Sequence, residues 1–162
     1  MELKDILNWA FERHLNPLSW YIRPVFLIIL AYFAYRRSWK GLVVTFLLMM
    51  SSMFWFPAPP KINSQMHEVL KYEKMLLSNP ISATITITIM FIFIVMIVRA
   101  FWKHSLRMGL FILNAALIGK LVLALIFTGE NGWGPLGNTI FGLILVNGIG
   151  FYLLYKMRNK KL

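Results

Sequence analysis

Cysteine is absent from the 162-residue chain. Its absence excludes a disulfide, a thiolate nucleophile and a thiolate metal site, and removes redox chemistry as a guide to compartment. Acid is scarce as well: six Asp and Glu stand against 17 Lys and Arg. None of the six, namely Glu2, Asp5, Glu12, Glu68, Glu73 and Glu130, falls inside a long apolar run. The three histidines and these acids show no metal-ligand spacing, so no metal, cofactor or catalytic set is expected. The glycine-rich stretch from Gly129 to Gly137 lacks the Lys-Ser/Thr of a phosphate-binding loop and reads as a turn anchored by Trp133.

What the chain has instead is apolar length. It is 59% hydrophobic and 14% charged, with mean hydropathy +0.65, whereas soluble domains run at about 45–50% and about 25%. Crossing a hydrocarbon core of about 30 Å takes roughly 17–25 mostly apolar helical residues. Five segments meet or approach that need: 18–35, 41–57, 81–98, 108–128 and 136–155. The first is interrupted by Arg23 and Pro24 and is preceded by acids, so it reads as a retained helix and not as a signal peptide. Thr84, Thr86 and Thr88 alternate with isoleucine as in a strand, but the apolar run continues to Val98 and lipid demands a helix there. Two further segments, 2–15 and 64–78, carry apolar residues at helical spacing with charge between them, and read as amphipathic helices lying on the outer surface. Asn16-Pro17 and Asn79-Pro80 end them, and Ser64 is a candidate cap for the second. The fold class is an all-α integral membrane protein of one domain, with a basic tail at 156–162.

Charge orients this bundle. Arg36, Arg37 and Lys40, then Arg99, Lys103 and Arg107, then Lys156, Arg158, Lys160 and Lys161 fall on one side, with no acid among them. The other side holds Lys4, Arg13, Arg23, Lys61, Lys71 and Lys74 together with all the carboxylates. Lys/Arg bias makes the first side cytoplasmic, which puts the N-terminus outside a plasma membrane and the C-terminus inside. The net charge of +11 then reflects topology and not nucleic acid, and anionic lipid headgroups are the expected partners of the inner face. Gly142, Gly148 and Gly150 offer a close-packing surface for helix contact or a homodimer.

Sliding the chain by 63 positions aligns Asn16 with Asn79, Pro17 with Pro80, Ser19 with Ser82, Ile22 with Ile85 and Ile29 with Ile92. The same shift aligns Arg36 with Arg99, Trp39 with Trp102 and Lys40 with Lys103. A parallel duplication of an outer helix plus a helix hairpin, with a fifth crossing outside the pair, accounts for this. A second register sets Gly41 on Gly109.

Lys120 is the residue that most invites a function. Counted along its own segment it lies near mid-membrane, where a charge costs about 2.5–3.5 kcal/mol on insertion scales. Asn147, Thr88, Ser51 and Ser52 fall at a similar depth, with Asn114 nearer the inner side, so a polar cluster around Lys120 is expected. With no acid in any crossing segment, the amine calls for a lowered pKa, a hydrated cavity or an anionic ligand. Transport of a small solute, an anion or protons is the first expectation. A lipid-binding or complex-assembly protein is the second. The third is an interfacial enzyme acting on a lipid-linked substrate through Glu12, His14, His67, Glu68 and Glu130 at the outer face.

Overall fold

The computed structural model describes residues 3–61 and 63–159, with side chains from Trp9 onward. Expectations for Glu2, Lys160 and Lys161 lie outside the described residues. The chain is 87% helical, without strands among the described residues. Its elements are α1 (Leu3–His14), α2 (Pro17–Tyr35), α3 (Trp39–Ser51), α4 (Ser64–Ser78), α5 (Pro80–Trp102), α6 (Leu106–Thr128) and α7 (Leu136–Asn159). Short 3₁₀ turns at Ser52–Phe54 and Gly129–Trp133 extend α3 and α6.

The helix starts follow from local chemistry. Asn16 and Asn79 accept hydrogen bonds from the first free amides of α2 and α5, each with proline next, where a missing N–H costs nothing. Asn63, and not Ser64, caps α4, its Oδ1 accepting from the amides of Gln65 and Met66. Pro24 does not break α2; it is buried, and its ring lies against Gly142 of α7.

Four helices are long and apolar enough to cross a membrane: α2, α5, α6 with its 3₁₀ extension, and α7. The expected second crossing at 41–57 is a shorter helix, 13 residues in α3, and is not among them. It begins earlier than expected, because Ser38 caps it through the amide of Gly41, and its helix ends at Ser51. The Asn16 side-chain amide donates to the Pro57 carbonyl at 2.9 Å, and Arg13 reaches the carbonyls of Phe54 and Phe56. The start of α2 is therefore tied to the end of the α3 segment.

Leu30, Ala31 and Ala34 of α2 form one apolar core with Ile97, Ala100 and Phe101 of α5, Ile112 and Leu113 of α6, and Val146 of α7. At the basic end two turns share one backbone path. Arg36 and Lys103 are the C-caps of α2 and α5, followed by Arg37 at φ 53° and His104 at φ 58°, the left-handed residues that end each helix. The amides of Ser38 and Ser105 then bond back to Phe33 and Ala100, each at 3.0 Å. A Cβ on Gly41 would run into the ring of Phe33, and one on Gly109 into that of Phe101. The two turns correspond at a spacing of 67, not 63, because α5 has 23 residues to the 19 of α2, about one helical turn more. Arg36 with Arg99, Trp39 with Trp102 and Lys40 with Lys103 are consequently not equivalent positions. Rings of Trp39 and Trp102 nevertheless meet, 5.0 Å apart.

Gly142 and Gly150 pack within the chain, against Pro24 and Leu117 and against Leu110, so they are not free for a second copy. Gly132 folds the Gly129–Trp133 turn back over α6, where a Cβ would lie 2.5 Å from backbone atoms of Leu125. Gly132→Ala should lower stability by about 1–3 kcal/mol, since the obstruction is backbone and cannot swing aside. Thermal unfolding in detergent measures it, and an unchanged midpoint would contradict this packing.

Candidate functional site

Titratable side chains converge between α1, α2, α4 and α6. Lys120 Nζ stands 3.2 Å from Glu73 Oε1, and Glu73 Oε2 stands 3.7 Å from His14 Nε2. The ring of Trp20 is covered on one side by His14, stacked at 5.1 Å, and carries the Lys120 ammonium 4.5 Å from its centroid. Arg23 Nη2 lies 3.3 Å from both ring nitrogens of His14. Trp20 Nε1 donates to the His14 carbonyl at 2.7 Å, and the Ser19 hydroxyl reaches the same carbonyl and that of Asn16. His14 and Trp20 are 3% and 1% exposed, and Met66 and Val69 of α4 close the apolar side of Trp20.

Helical spacing explains why these groups face inward. On α4 the apolar residues Met66, Val69, Leu70, Leu76 and Leu77 form one stripe, and Glu73 sits in the middle of it. His14 likewise continues the stripe of Ala10 and Phe11 on α1. An acid inside an apolar stripe is a signal readable in sequence, and Glu73 carries it. Tyr72 stacks on Phe127 at 5.0 Å, so α4 lies along α6 and delivers Glu73 to Lys120.

Lys120 is also not at the level its own helix suggests. Gly142, Pro24 and Leu117 mark one level across three helices. Pro24 and Gly142 lie about 10 Å from the starts of α2 and α7, and Lys120 is three residues beyond Leu117, about 4.5 Å nearer those starts. The lysine therefore sits about 5 Å below the first residues of α2 and α7. Helix α6 simply overshoots its neighbours, and its 3₁₀ extension folds back over it.

The other expected neighbours lie elsewhere. Asn114 and Asn147 pair with each other, amide to amide at 3.0 and 2.7 Å, joining α6 to α7, and each also bonds the carbonyl four residues before it. Thr88 is exposed on α5. Ser51 accepts from Trp55 Nε1 and donates to Leu48, and buried Ser52 donates to Met49. The outer-face candidates separate too. His14 turns inward to Glu73, whereas Glu12 and His67 line a groove between α1 and α4 with Phe11, Leu70 and Lys71. Glu68 pairs with Lys71 at 3.8 Å and stands 3.9 Å from His67, and Glu130 is exposed in the 3₁₀ turn after α6. No group of His and acid able to hold a metal occurs among the described residues.

Charge in the cluster is organised around Glu73. Burial alone pushes its carboxyl up, but Lys120, His14 and Arg23 outweigh burial and hold it well below the usual carboxylate range. Burial pushes the His14 imidazole down, helped by Arg23 and Lys120, against the pull of Glu73. Glu73 is thus ionised and His14 neutral at pH 7, and Lys120 has an acid of its own chain. Such an arrangement can lock four helices together. Comparison with known proteins found no matching family, no matching curated protein and no matching solved structure.

The two shifts give a pH signature. His14 binds a proton less readily folded than unfolded, so stability is level above its ordinary 6.5 and falls as pH drops below it. Glu73, depressed in the fold, contributes stability above its ordinary 4.5 that is lost as pH falls through the folded value. Melting in detergent from pH 8 downward should show a first decline below about 6.5. His14→Gln should flatten that first decline and leave the second, more acidic one. A His14→Gln profile parallel to that of the parent chain between about pH 6.5 and 5 would contradict the assignment.

Proposed function

We propose that this chain is a lipid-binding or complex-assembly protein of the membrane, and not a solute transporter. The observation that carries the reading is the contact of Lys120 with Glu73, 3.2 Å. A transport site was attractive because an amine without an acid demands a ligand or a water path; with Glu73 beside it and Trp20 beneath it, that demand is met inside the chain. The cluster then serves to hold the amphipathic helices α1 and α4 on the bundle, where they present an outer surface to lipid or a partner.

The architecture we propose has five crossings. The tie between Asn16 and Pro57 supports counting α3 with its 3₁₀ extension as the second, since it returns the chain to the start of α2. The basic turns face the cytoplasm of a plasma membrane and α1 and α4 face outside, in keeping with the Lys/Arg bias. The paired turns at the basic end support a duplicated unit whose second copy gained one helical turn in α5. Gly148, with nothing within 4 Å of where its Cβ would stand, and the largely uncovered surface of α5 are where a second copy would pack.

Proteoliposomes test the choice. Lys120→Met should lower thermal stability by about 1–3 kcal/mol, between the values for exposed and buried pairs, with no Lys120-dependent flux of protons or small anions. Removing residues 2–15 should release copurifying lipid or protein. A flux in the parent chain that Lys120→Met abolishes at unchanged stability would overturn the proposal.

A further inference from the structure

The basic end carries more than a diffuse positive field. Residues 36–40 read Arg-Arg-Ser-Trp-Lys and residues 103–107 read Lys-His-Ser-Leu-Arg. In the 67-residue register Arg36 matches Lys103 and Lys40 matches Arg107. Backbone hydrogen bonds recur between the two turns: Arg36 to Tyr32 and Lys103 to Arg99, Arg37 to Ala34 and His104 to Phe101, Leu42 to Ser38 and Gly109 to Ser105, while Leu106 to His104 belongs to the second turn. Each turn thus places one cation at the helix C-cap and another four residues later, on the same backbone frame.

The two frames also touch. Arg37 donates from Nε to the Trp102 carbonyl at 3.2 Å and sets Nη2 3.4 Å from His104 Nδ1. Trp39 and Trp102 pack ring to ring between them. Arg36, Lys40, Lys103 and Arg107 are all exposed, and no ion pair involves any of them among the described residues. Four unneutralised cations in two matched pairs, at a membrane interface with a tryptophan pair, fit an anion with two like charged groups and apolar tails.

We infer that the two turns form one site for a phospholipid bearing two phosphodiesters, one phosphate held by Arg36 and Lys40 and the other by Lys103 and Arg107. Arg37 is the positioning residue that fixes one turn against the other. The inference deepens the lipid-binding reading and rests on it, but at the opposite end of the molecule from Lys120, so its failure leaves the test of that cluster standing.

Native mass spectrometry of the purified full chain, titrated with diphosphatidylglycerol or with phosphatidylglycerol at matched phosphate, reads the site. One diphosphatidylglycerol per chain should be retained in preference to phosphatidylglycerol. Arg36→Gln with Lys40→Gln, and separately Lys103→Gln with Arg107→Gln, should each weaken it about thirtyfold, the effect of two basic residues near a membrane surface. Lys156→Gln with Arg158→Gln removes the same charge from the end of α7 and should change retention less than about threefold. All six positions are exposed, so thermal midpoints should stay at the parent value and confirm folding. Equal losses in all three variants would reduce the site to a diffuse field and overturn the inference. So would equal retention of the two lipids, or retention of neither, the result expected if the turns receive an acidic protein segment instead.

Discussion

One carboxylate set into an apolar stripe governs the end of the bundle that carries α1 and α4. Glu73 draws Lys120 from α6 and the His14 ring from α1, while Trp20 of α2 stacks between the histidine and the lysine. With side-chain exposures of 29% for Glu73 and 43% for Lys120, the pair is neither sealed nor open. In that intermediate setting the pair need not add much over apolar packing, yet losing one partner strands the other charge near lipid. Such an arrangement specifies where α1 and α4 dock more than it deepens stability, because His14 of α1 meets Glu73 of α4, Ser19 and Arg23 of α2, and Glu73 meets Lys120 of α6.

Much of the fold was legible in the sequence, and for reasons that can be named. Apolar length marked α2, α5, α6 and α7, and the Asn-Pro pairs at 16–17 and 79–80 marked two helix starts by cap chemistry that needs no tertiary context. Local signals failed where a neighbour decides. Position along α6 alone puts Lys120 too deep, because α6 overshoots α2 and α7, which the packing of Pro24 and Leu117 against Gly142 reveals. Asn147, expected beside Lys120, satisfies its amide on Asn114 of the same helix as the lysine. A constant spacing of 63 aligns Trp39 with Trp102, whereas the two turns correspond at 67, because α5 is about one helical turn longer than α2.

The two ends of the bundle follow opposite electrostatic rules. Near the amphipathic helices Lys120 is matched by Glu73 and Lys71 by Glu68; at the other end Arg36, Lys40, Lys103 and Arg107 are exposed and without an ion pair among the described residues. The matched end joins α1, α2, α4 and α6, and the unmatched end leaves its cations exposed.

A double-mutant cycle on Glu73→Gln and Lys120→Met, read by equilibrium unfolding, measures the joint itself. The account predicts that each single change destabilises and that the double change costs less than their sum, with a coupling of about 1 kcal/mol or more. Additive losses would mean that the two side chains lie close without depending on each other, and would contradict the account.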